Sequence, residues 1–379
     1  MTKRIVFLVP GFFGFSTVAA VSYYQDVEDA LRRGLSRRRV DAEIVCCDTQ
    51  PTASIVRRAD RLRRQVIDHG GLKAQELHFI GHSTGGLDVR MLLTPGVTIA
   101  RGSSAERIAE RARTAISVAT PHHGTPLATH FNTVQGQTLL LIASALATSG
   151  QGRGAIVGAA QVVALVAQLD DWLGRSDTVL DRIASGLLRK IRYNRRGPIW
   201  KYLREIEMDQ GGVLQLTPEG MNLFDAAVAD RAGVDYGCVV TGVPKPREEF
   251  RPRDLVDPER MALRALFRLL HALTSRPHPR YPYPKASKPT QLKLNRGLGF
   301  TANANTSDGV VPTFSQLHGR VLHVACADHL DVVGHYTLAA EGTGDWLPSG
   351  AGFTREGFDA LWDDVAAAIA RGRQPARAG

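Results

Sequence analysis

Short apolar runs alternate with segments of helical periodicity over the first 120 residues. Residues 5–9 (IVFLV) form a continuous apolar stretch closed by Pro10-Gly11, and residues 43–47, 77–80 and 115–119 are runs of the same kind. Such runs, bounded by turn residues, read as strands buried on both faces. Between them, residues 26–35, 54–68 and 83–92 space their apolar positions three or four apart, the pattern of helices with one face in a core. This alternation predicts an α/β fold with a mostly parallel sheet and helices on both faces. The strand pattern resumes at 236–242 and 320–325, and a last helix is expected over 355–371.

Two stretches break the alternation within what reads as one domain over 1–379. Between about 127 and 235, residues 138–148 and 155–172 are apolar on nearly all sides and are joined by the glycine-rich SGQGRG. A helix apolar all round is either buried or covers an apolar surface. A helical lid or cap over the site is therefore expected in this insertion, with a buried core helix as the competing reading. The run AIVGAAQVVALVAQL is too short to cross a bilayer comfortably, so no transmembrane segment is expected. The second stretch, about 244–289, is rich in Pro and Arg, encloses one helical stretch at 258–274, and reads as an insertion.

The chemistry concentrates where predicted strands end. FIGHSTGGLDVR places Gly81-His82-Ser83-Thr84-Gly85, a G-x-S-x-G pattern, between a buried strand and a helix. A sharp strand-to-helix turn strains its central residue and tolerates only small neighbours two positions away, leaving the serine hydroxyl exposed. Ser83 is thus the candidate nucleophile. A serine needs an adjacent base, and the base needs an orienting carboxylate. In the hydrolase arrangement built around this turn, the chain order is Ser, acid, His. NTSDGVVP puts Asp308 in a polar turn, and RVLHVACADHLDVVGHY puts His329 just past the last strand; His323 and His335 are weaker base candidates by position. The developing oxyanion needs two amide donors. Thr84, at the helix start, and Phe12, in the glycine-bearing loop after the first strand, are the candidates. That loop has no G-x-G-x-x-G and no Lys-Ser/Thr, which argues against a nucleotide site.

The ordered set VPGFFGF, GHSTGG, SVATPHHGTP, LTPEGMNLFDAAV, VDYGCVVTG, SDGVVP and DHLD resembles the bacterial true-lipase family of α/β-hydrolases. The resemblance covers most of the chain outside 244–289. It implies an α/β-hydrolase fold, Ser83 as nucleophile, Asp308 as orienting acid, His329 as base, Phe12 and Thr84 as oxyanion donors, and a helical lid. Pro10 and Thr84 stand where many members carry His, but the oxyanion amides do not depend on those side chains. In the secreted members a calcium ion tethers the loop carrying the catalytic His. Asp331 matches one ligand, whereas a second falls on His335, a poor partner for a hard cation. No metal and no cofactor are therefore expected, and the family's disulfide has no counterpart. The expected activity is carboxylic-ester hydrolysis on an ester or lipid substrate. Acyl transfer, thioester or polyester cleavage, and a non-catalytic binding module are the alternatives.

Charge and cysteine content refine this picture only slightly. A formal charge of +10 and clustered arginines would favour transient contact with an anionic lipid interface. Zinc-finger, helix-turn-helix and RNA-binding patterns are missing, so nucleic acid is not an expected partner. Four cysteines without metal-ligand spacing, and an N-terminus that reads as a first strand rather than a signal segment, lead to an expectation of reduced thiols and a cytoplasmic location.

Overall fold

The structure is a computed structural model that describes residues 3–12, 17–18, 21–50, 52–99, 102–131, 211–246, 258–336, 345 and 347–372. The lid helices expected at 138–148 and 155–172 lie outside the described residues.

Six strands form one sheet: β1 (Arg4–Val9), β2 (Glu43–Cys46), β3 (Glu76–His82), β4 (Ala112–Val118), β5 (Asp235–Gly242) and β6 (Arg320–Cys326). Their spatial order is β2-β1-β3-β4-β5-β6, and every neighbouring pair is parallel. Parallel pairing requires a crossover between strands, so helices end up on both faces and the central strands are buried on both sides. Strand β1 shows the consequence residue by residue. Val6 and Leu8 enter the core shared with helices α1 (Val27–Arg37) and α10 (Arg355–Arg371). Ile5, Phe7 and Val9 enter the opposite core with α2 (Ile55–Asp68) and α3 (Thr84–Leu93). The two-residue period of the strand therefore serves two apolar layers, which is why the sequence shows a run and not an alternation.

The strands and the helices at 258–274 and 355–371 fall where the periodicity placed them, to within a few residues. Shorter helices were not anticipated: α4 (Ser104–Ala109), α5 (Pro126–Phe131), α6 (Gly211–Gln215), α7 (Pro218–Ala227) and α9 (Lys288–Leu298). Thr217 and Ser287 cap α7 and α9 by accepting from the amides of Gly220 and Thr290, with Pro in the first turn of each helix. The end of the expected lid insertion is ordinary core. Met221 and Phe224 of α7 pack with Ile55, Leu87 and Met91.

The Pro- and Arg-rich stretch is likewise more than a surface insertion. Its helix α8 (Pro258–Thr274) packs Leu266, Phe267 and Leu270 against Leu127, Val243 and Leu347. Thr274 Oγ1 donates to Gly309 O at 3.1 Å, and a Cβ on Gly309 would fall 2.5 Å from the Phe267 ring. This helix props the turn that contains Asp308. All four cysteines are free. Among the described residues no helix is long and apolar enough to cross a membrane.

Candidate active site

Strand β3 ends at His82, and α3 begins at Thr84, so Ser83 alone makes the turn. Its backbone sits at φ 54° and ψ −130°, a conformation that an L-residue adopts only when its surroundings impose it. The surroundings explain the glycines. A Cβ on Gly81 would fall within the backbone of Gly85 and Gly86, and one on Gly85 would meet the carbonyls of Val9 and Pro10. Glycine at these positions lets the helix start against the end of β1. Thr84, the first residue of α3, has an amide among those that the helix itself cannot satisfy.

The loop after β1 lies directly on this turn. A Cβ on Gly11 would fall 2.5 Å from Ser83 Cβ, and Phe12 packs beside the cluster of Ile55, Leu87 and Met91. Both backbone groups of Gly11 are held. Its amide donates to Tyr23 Oη at 2.8 Å, and its carbonyl accepts from Thr49 Oγ1 at 3.3 Å and Arg58 Nη2 at 3.2 Å. Arg58 also donates to Pro10 O and Gln50 O, and its Nε is 3.0 Å from each oxygen of Asp88 on α3. Both Arg58 and Asp88 are buried. Burial lifts the Asp88 carboxyl to about 6, and Arg58 pulls the other way. A buried ion pair thus straps the loop to the helix that follows the serine.

Asp308 and His329 come together on the far side of the turn. His329 Nδ1 is 2.9 Å from Asp308 Oδ2, and His329 N donates to Asp308 O at 3.1 Å. The Asp308 carboxylate is fully buried yet well supplied with donors. Oδ1 accepts from the amides of Val310 and Val311, at 2.9 and 2.7 Å. Oδ2 also accepts from Thr241 Oγ1 at 2.8 Å and Gln316 Nε2 at 3.3 Å. These donors hold the carboxylate in one orientation, with Oδ2 facing His329 Nδ1. His329 also touches the serine turn: its carbonyl is 2.9 Å from His82 Nε2, and the two rings are 4.7 Å apart. Among the described residues no hydrogen bond joins Ser83 Oγ to His329.

Of the other two histidines weighed as base, His323 pairs with Asp364 at the surface, and His335 lies 3.2 Å from the carbonyl of Tyr23. Sequence reasoning missed Tyr23, Arg58, His82, Asp88, Thr241 and Gln316, because nothing in their local pattern marks them. Only the fold brings them to this rim.

Asp331 does not stand alone as an acidic ligand: carboxylate oxygens of Asp328, Asp331 and Asp345 all lie within 4.8 Å of one another. Asp328 Oδ1 accepts from the amides of Leu330 and Asp331, while Asp328 Oδ2 is buried with no hydrogen-bond partner. Burial, and then the charge of Asp345 on Asp328 and of Asp328 on Asp331, push Asp328 up to about 8 and Asp331 well above the carboxylate range. Three hard oxygen donors, two of them buried and one half-buried, fit a divalent cation such as calcium. The DHLD segment conceals this because Asp345 lies outside it and joins it only through the fold.

No family model and no curated protein matches the chain by sequence. Solved structures that resemble it over nearly its whole length include the following two. Lipase 1 of Pelosinus fermentans aligns over 97% of this chain and 99% of its own, at 17% identity and a TM-score of 0.52. EstA of Clostridium botulinum aligns over 98% of this chain and 87% of its own, at 16% identity and a TM-score of 0.51. Likeness at such identity speaks for architecture. With the all-parallel order β2-β1-β3-β4-β5-β6 and the serine turn after β3, the chain has the α/β-hydrolase fold.

Proposed function

We propose that the protein is a serine carboxylic-ester hydrolase, a lipase or lipase-like esterase, with Ser83, His329 and Asp308 as its triad. The observation that carries this reading is the convergence of three separate segments on one rim. A serine held at positive φ, a glycine loop pressed against it, and a histidine oriented by a fully buried carboxylate meet there.

In this reading Ser83 Oγ attacks the ester carbonyl carbon and passes its proton to His329 Nε2. Asp308, accepting from Nδ1, keeps the ring in the tautomer that leaves Nε2 free to take that proton, and stabilises the imidazolium that forms. The carbonyl oxygen becomes an oxyanion and accepts from the amides of Phe12 and Thr84. Collapse expels the alcohol with the proton from His329, leaving an acyl ester on Ser83. Water, deprotonated by His329, attacks that ester; the acid departs and the proton returns to Ser83. A divalent cation held by Asp328, Asp331 and Asp345 would neutralise three crowded carboxylates beside His329 and so hold its turn in place.

A chain-length series of p-nitrophenyl esters on wild type and Ser83→Ala tests this reading. Turnover is expected throughout the series in wild type and not in the variant. Comparable turnover by Ser83→Ala would overturn it.

A further inference from the structure

His82, the residue before Ser83, bridges two loops of the site. It is 1% exposed, and both ring nitrogens are engaged. Nε2 is 2.9 Å from the carbonyl of His329, and Nδ1 is 2.6 Å from Tyr23 Oη. The same Tyr23 oxygen lies 2.8 Å from the amide nitrogen of Gly11.

The proton order along this chain follows from donor chemistry. A carbonyl can only accept, so His82 Nε2 carries the hydrogen it shares with His329 O. Burial, with the histidines at 329 and 335 nearby, holds His82 far below the usual imidazole range, so the ring is neutral and has one proton. Nδ1 is therefore an acceptor, and the hydroxyl that meets it must be the donor. Tyr23 O–H donates to His82 Nδ1, and the Tyr23 oxygen accepts from Gly11 N–H. Burial raises the Tyr23 phenol too, so it keeps its proton. Every bond has one direction: Gly11 N–H to Tyr23 Oη–H to His82 Nδ1, and His82 Nε2–H to His329 O.

The two ends of the chain are the amide next to the Phe12 donor and the main chain of the base. Tyr23 is bound to the base's loop a second time through its backbone. Its carbonyl is 3.2 Å from His335 Nε2, and the next-but-one amide, Gln25 N, donates to Val333 O at 2.9 Å. Gly334 sits at φ 104° against the Gln25 carbonyl, where no side chain would fit.

We propose that Tyr23 and His82 are positioning residues that lock the oxyanion loop and the loop of the catalytic base to one another, so that the Phe12 amide and His329 are held in register across Ser83. This rests on the serine-hydrolase reading above. Neither residue touches the reacting atoms. Their effect lies in preorganisation, which favours the transition state over the ground state.

The test is a double-variant cycle on Tyr23→Phe and His82→Gln. Tyr23→Phe keeps the ring that packs edge-on to Tyr24 and His82 and removes only the hydroxyl. His82→Gln puts a donor and an acceptor on a flexible side chain in place of the rigid ring, so it no longer fixes Tyr23 Oη and His329 O at one spacing. With p-nitrophenyl butyrate, each variant should lose about tenfold in kcat with KM within about twofold. Inhibition by a trifluoromethyl ketone, whose serine adduct carries the oxyanion, should weaken by the same factor. The double variant should be no worse than the poorer single, because one chain is broken once. If Tyr23→Phe does not fold, the kcat and inhibitor losses of His82→Gln carry the test. Histidine ¹⁵N NMR of wild type gives a readout independent of turnover: His82 should be the Nε2–H tautomer with Nδ1 accepting.

Unchanged kcat and inhibitor affinity in both variants, multiplicative losses in the double variant, or an Nδ1–H tautomer would each overturn the proposal. A wild-type protein that neither turns over esters nor reacts with a fluorophosphonate would instead remove the hydrolase reading, and with it the role given to the chain. In that case the tautomer still decides whether the chain itself exists as drawn.

Discussion

Replacing Arg58 by Met removes the guanidinium while keeping an unbranched side chain of similar length. Three carbonyls, those of Pro10, Gly11 and Gln50, lose a donor, and Asp88 is left alone at zero exposure. Stripping one partner from a buried ion pair costs about 3–5 kcal/mol, most of it the desolvated charge that remains. The charge can escape part of this cost by taking a proton, which makes the loss depend on pH. In wild type the Asp88 carboxyl is already raised to about 6, against about 3.9 in an unfolded chain. A folded value above the unfolded one means stability that is complete below the unfolded value and lost as pH rises through the folded one. Wild type therefore stops losing stability from this group a little above pH 6. The variant, without Arg58 to pull the carboxyl down, goes on losing it at higher pH, by at most about 1.4 kcal/mol per pH unit.

Urea unfolding followed by tryptophan fluorescence at pH 6, 7 and 8.5 should accordingly show a gap between variant and wild type that widens with pH. Arg58→Met/Asp88→Leu, which has no buried charge, should recover most of the loss and flatten its pH dependence. A deficit below about 1 kcal/mol, or one that does not change with pH, would refute the reasoning.

Asp308→Asn should lower kcat by about 10³–10⁴ with the fold retained, since an amide at this position favours the wrong imidazole tautomer; Thr241→Val, which removes one of its donors, should cost far less, and steady-state kinetics separates the two. Gly81→Ala should fail to give folded protein, because its Cβ would lie inside the backbone of Gly85 and Gly86; circular dichroism and solubility report this. At the carboxylate cluster, the raised values of Asp328 and Asp331 mean stability held in acid and lost as pH rises through about 8. In a chelator, Tm should fall between pH 5 and 9. Added calcium should raise Tm, most at the alkaline end, and identical melting curves with calcium and chelator at pH 8 would contradict a cation site.

The parts of the molecule legible in the sequence are those where one local pattern does one job. The run IVFLV had to be a doubly buried strand, and G-x-S-x-G after such a strand had to be a constrained turn, because the required residues are neighbours in sequence. The pairing of Asp308 with His329 could be reached because chain order, turn chemistry and strand ends restrict which distant residues can meet at this rim. What stayed hidden depends on contacts between distant segments. Arg58 looked like one more arginine on a basic helix, yet it is buried and straps two loops together. Nothing in the local sequence marks Tyr23 and His82, and only their shared hydrogen bonds show that they tie 11 to 329. The acidic cluster stayed hidden for the same reason: Asp345 joins Asp328 and Asp331 through the fold. The stretch at 244–289 was set aside on composition, although Phe267 and Thr274 of its helix support the acid's turn.

The central claim is that Ser83 is a nucleophile activated by His329, and an active-site label tests it most directly. Wild type treated with a fluorophosphonate should take up one equivalent, mapped by mass spectrometry to Ser83. Ser83→Ala should take up none. His329→Ala should react slower by about 10³ or more, while His335→Ala should label at close to the wild-type rate. Labelling at another residue, no labelling of folded wild type, or a His329→Ala protein that labels as fast as wild type would contradict the account.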